Sequence, residues 1–150
     1  MTHRPFVHRL GLCVAAMAVL VAVPAFAHHS FNAYDMTKTK TVSGTIKEWR
    51  WGAPHSSVAV IYLDDDNKQQ TMSLISGSPL SFSRQGLAPR DFHTGDKVTV
   101  TYHPTTSGAP GGALAILILP GGKTYKDTEV DAAATTLGVP TAPVTPPSPK

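Results

Sequence analysis

The stretch 42–60 constrains the fold of this chain more than any other, because its apolar residues change faces part-way along. Val42, Gly44 and Ile46 share one face, as in a half-buried strand, whereas Trp49 and Trp51 have the opposite parity. A strand that buries first one face and then the other contains a bulge or a sharp coil, as strands do in small barrels. The sequence therefore predicts a long, bent first strand in a curled sheet.

A turn with a histidine follows the tryptophan pair. Gly52-Ala53-Pro54 ends the strand, and the next apolar run begins at Val58. His55 lies at the mouth of this turn, where side chains can converge on a ligand. Trp49 and Trp51 offer a stacking face for a ligand, although aromatic residues on a curled strand are more often part of the core.

Turn signals divide the following sequence into a regular order of elements. Apolar runs between clusters of Gly, Pro, Asp and Asn predict five strands, at residues 41–51, 57–63, 69–75, 97–103 and 113–119. A short helix is predicted within residues 78–86, where serine and proline precede a glycine stop. This order predicts an all-β fold: a small five-stranded OB-like β-barrel with one short helix between strands 3 and 4. Period-two alternation assigns His103, at the end of the fourth strand, to the polar face.

Residues 1–27 have the features of a secretory signal peptide. Arg4 and Arg9 precede an apolar run at residues 10–23, and Ala25-Phe26-Ala27 fits a signal-peptidase site. The run is shorter than the roughly 20 residues that cross a bilayer. We expect cleavage after Ala27, a periplasmic or secreted protein, and no transmembrane anchor after cleavage.

Cleavage changes the composition that matters for function. It removes the single cysteine, two of the 13 basic residues and none of the 10 acidic ones, so the formal net charge falls from +3 to +1. The mature chain then has neither disulfide nor thiolate chemistry, and no basic cluster for nucleic acid. The expected segments are the signal peptide 1–27, an N-terminal arm 28–40, the barrel 41–125 and a disordered Pro/Ala/Thr-rich tail 126–150.

The histidines that remain predict a metal site. A chain that begins at His28 presents a free amine and an imidazole on one residue, and with a second imidazole this forms the histidine brace of copper proteins. Nitrogen ligands in a roughly square-planar arrangement suit Cu(II). The candidate metal ligands are His28, His29, His55 and His103. The alternative reading makes the first pair a polar start to an arm and the other two caps for loop carbonyls.

Several motifs of the chain occur together and in a fixed order. They are His28-His29-Ser30-Phe31, residues 43–49, Trp51-Gly52-Ala53-Pro54-His55-Ser56, residues 95–100, His103-Pro104 and the loop 108–112. Together they resemble one bacterial exported family, the domain-of-unknown-function family 6152. The resemblance implies a small periplasmic β-barrel with a His-His start and a Trp-x-Asn-Pro-His turn. This chain has Ala53 at the asparagine position, so an amide that could orient His55 is missing.

Two functions remain open from the sequence. The first is a periplasmic copper-binding carrier or buffer module, with the metal ion as its partner. The second is an envelope binding or assembly module without metal, which holds an envelope protein or a small ligand on the barrel face around Trp49 and Trp51. No residue pattern supplies an acid, a base or a cleft for turnover, so binding is favoured over catalysis.

Overall fold

The computed structural model describes residues 31–136. Six strands form one sheet: β1 (Lys40–Arg50), β2 (Ser57–Leu63), β3 (Gln69–Ile75), β4 (Lys97–Pro104), β5 (Gly111–Ile118) and β6 (Thr124–Lys126). Two α-helices accompany them, α1 (Pro79–Ser83) and α2 (Thr128–Thr136). All five strands and the helix predicted from the sequence are therefore confirmed, with strand ends that move by one or two residues.

The sheet closes on itself. Its order is β3-β2-β1-β4-β5-β6, and β3 also pairs with β5 in parallel. This extra pairing makes β1 to β5 a closed five-stranded barrel, with α1 between β3 and β4 and β6 added outside β5. The prediction of a small OB-like barrel is confirmed.

The change of faces in β1 has the predicted cause. Ile46 pairs with Val60, but the next pair is Glu48 with Ala59, so one residue of β1 has no partner on β2. This bulge reverses the parity of the strand. Ile46 and Trp49 can therefore both pack against the barrel interior although they are three residues apart.

Glycines at the start of β5 allow the barrel to close. Gly111 has φ of 147°, and a Cβ there would lie 2.7 Å from the carbonyl oxygen of Ser73. A Cβ on Gly112 would collide with the carbonyl oxygen of His103. Glycine has no Cβ, so these two positions allow the backbone of β5 to approach the backbones of β3 and β4 this closely. Both glycines are buried in β5, so the loop predicted up to residue 112 ends earlier than expected.

A second apolar cluster covers the outside of the barrel. Met36 of the N-terminal arm and Val130 and Ala134 of α2 are buried against Ala113 and Ala115 of β5. The tail boundary predicted at residue 126 is thus wrong for residues 126–136, because α2 has an apolar face that β5 buries. Residues 1–30 and 137–150, with the predicted signal peptide and the rest of the tail, lie outside the described residues.

Candidate functional site

His55 is held at the turn between β1 and β2. Its Nδ1 lies 3.1 Å from the carbonyl oxygen of Ser76, just beyond the end of β3, and its side chain is half-buried. A carbonyl oxygen only accepts hydrogen bonds, so Nδ1 carries the proton of the neutral ring and Nε2 carries the lone pair. This is the arrangement typical of a metal-binding histidine, whose other nitrogen donates to a backbone carbonyl.

The backbone on either side of this contact is well paired. Ser56 donates its N–H to the carbonyl of Gly77, and Ser76 donates its N–H to the carbonyl of Ser56, both at 2.9 Å. Ser56 is fully buried. These two bonds extend the pairing of β2 with β3 past the ends of the strands, so the loop that carries His55 is tied to the residues after β3.

Asp127 fixes those residues from the other side. Its Oδ2 accepts the N–H of Gly77 at 2.7 Å and the hydroxyl of Ser76 at 3.0 Å. Its Oδ1 accepts the N–H groups of Glu129 and Val130, which makes Asp127 the N-cap of α2. Asp127 is buried, with 1% of its surface exposed.

Tyr125 completes this buried polar group. Its hydroxyl oxygen accepts the hydroxyl of Ser76 at 3.3 Å and lies 3.0 Å from the hydroxyl oxygen of Ser81. Burial raises the pKa of Tyr125 to about 12, so the phenol stays neutral. Sequence reasoning misses Asp127 because it falls in the predicted tail. The signal that could have found it is an aspartate directly before a run of helix-forming residues.

His103 lies in a different environment: it has the parity opposite to the core residues Val98, Val100 and Tyr102, as predicted, but this face is covered and not exposed to solvent. The residue is 3% exposed, and its Nδ1 lies 2.8 Å from the carbonyl oxygen of Lys38. The N-terminal arm covers it: Tyr34 forms a β-bridge with Thr105, and Asp35 donates its N–H to the carbonyl of Pro104. Strand alternation could not reveal this burial because the covering residues belong to a segment 65 positions away.

His103 lies on β4 and His55 lies on the turn between β1 and β2, and β5 and β3 connect the two positions. His103 of β4 pairs with Ala113 of β5, and Ala113 pairs with Ile75 of β3. Ile75 directly precedes Ser76, whose carbonyl anchors His55. Within residues 31–136, no three side chains of His, Cys, Asp or Glu come together as a possible metal site. His28 and His29 lie outside the described residues.

The tryptophan pair belongs to an aromatic cluster. Trp49 stacks on Phe92 with ring centroids 4.0 Å apart and meets Phe82 edge-on at 5.2 Å. Trp51 is tilted against Phe92 at 5.6 Å and against Phe82 at 5.3 Å. Both indoles are partly buried and pack against the barrel core. Much of each indole is therefore engaged inside the protein, next to the His55 turn.

Within residues 31–136, two methionines and one further histidine carry the remaining thioether and imidazole side chains. Met36 and Met72 are buried in the two apolar clusters, at 3% and 1% exposure. His93 is exposed on a loop, with Nδ1 3.4 Å from Asp96. A cavity of about 520 Å³ opens at the other end of the barrel, lined by residues that include Tyr62 and Lys97, and no candidate ligand lines it.

The family of unknown function DUF6152 matches residues 16–114. The chain belongs to this family. The match confirms the resemblance seen in the motifs and includes His28, His29, His55 and His103. No curated protein and no solved structure matches the chain. In this DUF6152 member, no helix within residues 31–136 is long and apolar enough to span a membrane.

Proposed function

We propose that the mature protein is a periplasmic copper-binding module that carries or buffers Cu(II). In this proposal, signal peptidase cuts after Ala27, so the chain begins at His28. The free amine and ring of His28 and the Nε2 atom of His55 bind one ion, with His29 as a reserve ligand. Amine and imidazole nitrogens are the donors that Cu(II) prefers.

The observation that carries this proposal is the hydrogen bond from His55 to the Ser76 carbonyl. It fixes the tautomer and orientation of the ring before any ion arrives, as outer-shell carbonyls do for metal-binding histidines. A backbone carbonyl here does the work that the side chain of an asparagine at position 53 could do, so Ala53 does not leave the ring unsupported.

The N-terminal arm is anchored on the side of the barrel that holds His55. The apolar cluster that contains Ile75 also contains three residues of the arm, Phe31, Tyr34 and Met36. Ile75 directly precedes Ser76, whose carbonyl accepts the hydrogen bond of His55. The described part of the arm is therefore held close to the peptide that anchors His55.

His103 has a structural role in this proposal. Its ring is buried in β4 beneath the arm, and its Nδ1 donates to Lys38. It therefore joins the arm to the barrel rather than binding the ion, although it was one of the four candidate ligands.

Titration with Cu(II) tests the proposal. The mature protein that begins at His28 is compared with a form that carries one extra residue before His28, which moves the amine off the ligand. We expect the extension to weaken Cu(II) binding by more than about tenfold, or 1.4 kcal/mol. His93→Ala, which removes an exposed histidine, is the matched control and should leave the affinity unchanged. Equal affinities in the native and extended forms would rule out the brace and leave the envelope binding module as the better hypothesis.

A further inference from the structure

We infer that Asp127 is the positioning residue of His55, so that helix α2 is part of the proposed metal site. The metal-binding consequence of this inference rests on the proposed function, whereas the positioning of the ring can be observed without metal. Asp127 acts through residues 76–77, because the carbonyl of Ser76 accepts the hydrogen bond of the ring.

Asp127 uses its two oxygens for two separate tasks. One oxygen accepts the Gly77 N–H and the Ser76 hydroxyl, which fixes the peptide after β3. The other accepts two N–H groups at the start of α2. Each of these donors presents hydrogen to the carboxylate, so the buried negative charge is hydrogen-bonded on both sides.

Only a carboxylate can perform both tasks. An asparagine has one carbonyl oxygen and one amide group, and the amide can only donate. In Asp127→Asn the single carbonyl oxygen could accept either from Gly77 or from the first N–H groups of α2. The amide group would then face the backbone N–H of the other partner, and two donors would meet. Such a mismatch leaves a buried backbone donor without an acceptor, so the segment 76–77 would shift or α2 would loosen.

The Ser76 carbonyl holds the Nδ1 side of the His55 ring. If residues 76–77 are no longer fixed, the Nδ1–H bond weakens and the ring samples other orientations and the other tautomer. A brace needs the Nε2 lone pair at a fixed place relative to the amine of residue 28. Outer-shell partners of this kind typically contribute a factor of about 10–100 to metal affinity.

The test uses the mature protein with Asp127→Asn, Ser76→Ala and a matched control, Asp131→Asn. Asp131 lies in the same helix and takes no part in the hydrogen bonds to residues 76–77, so the control removes the same charge. Ring ¹⁵N shifts of His55 are recorded without metal, at a pH where the ring is neutral, and Cu(II) affinity is measured on the same proteins. Circular dichroism verifies that each variant is folded.

We expect the wild-type ring to show a protonated Nδ1 and an unprotonated Nε2. In Asp127→Asn the two shifts should move toward each other, and Cu(II) binding should weaken about 10–100-fold. Ser76→Ala keeps the carbonyl and the Gly77 bond, so it should produce a smaller change of the same kind. The Asp131→Asn shifts should equal those of the wild type.

If Asp127→Asn folds and its His55 shifts equal those of the wild type, the inference is wrong. If Asp127→Asn does not fold, Ser76→Ala decides, and unchanged His55 shifts in that variant overturn the inference. A change in the shifts of the variants together with a wild type that binds no Cu(II) supports the positioning and contradicts the proposed function. The two ideas therefore fail in different measurements.

Discussion

His55 and His103 make the same hydrogen bond in two different regions of the barrel. Each donates Nδ1–H to a backbone carbonyl, at 3.1 Å to Ser76 and at 2.8 Å to Lys38. His55 lies half-buried on a turn, whereas His103 is buried in β4 under the N-terminal arm. Two rings that are oriented in the same way therefore differ in whether another segment of the chain covers them. What covers the ring decides whether it can reach an ion or instead joins two parts of the fold.

Replacing the ring on the turn should have the largest effect. We expect His55→Ala to weaken Cu(II) binding more than the roughly 100-fold that outer-shell changes cause, because it removes a ligand. Its effect on the free energy of unfolding should be below about 1 kcal/mol, since the side chain is only half-buried. Isothermal titration and urea unfolding measure the two quantities. If the Cu(II) affinity of His55→Ala equals that of the wild type, His55 is not a ligand.

Replacing the buried ring should reverse this pattern. His103→Ala removes a buried side chain and leaves the carbonyl of Lys38 without its donor, so we expect a loss of about 2–4 kcal/mol in the free energy of unfolding. Copper affinity of the folded protein should change less than about tenfold, because other bonds also hold the arm. Urea unfolding with His93→Ala as the exposed control measures this. A stability equal to that control would contradict the structural role of His103.

The smallest effect should come from the arm itself. Asp35 accepts hydrogen bonds from Lys38 and Thr37, and chiefly the bond from Lys38 lowers its pKa to about 2. Because the folded pKa lies below the unfolded one, the carboxylate stabilises the fold above about pH 4, and this stabilisation is lost as the pH falls toward 2. Asp35→Asn should lower the urea midpoint slightly at neutral pH, and the difference from wild type should shrink on acidification. A difference that is independent of pH would contradict this explanation.

Most of the barrel could be predicted from the sequence because its signals are local. Strand alternation, the parity change at Trp49 and the glycine and proline turns lie within a few residues of the elements they define. The bulge in β1 is an example, since the sequence around Ile46 predicts it and the register confirms it. Local patterns of this kind do not depend on which segments meet in space.

The surroundings of the histidines could not be predicted in the same way. His103 is buried by an arm 65 positions earlier, and the peptide that orients His55 is fixed by Asp127, 50 positions after Gly77. Such contacts depend on barrel closure and on how α2 packs on β5. Helix α2 was also predicted to be part of the disordered tail. The segment 126–150 is rich in proline, and the apolar residues that α2 buries are few and small.

Electron paramagnetic resonance of the Cu(II)-loaded mature protein tests the proposed brace most directly. Pulsed experiments count the imidazole rings bound to the ion. We expect two rings in the wild type, from His28 and His55, one ring in His55→Ala, and two in His103→Ala. A spectrum that does not change in His55→Ala, or that loses a ring in His103→Ala instead, would contradict the assignment of His55 as the second ligand.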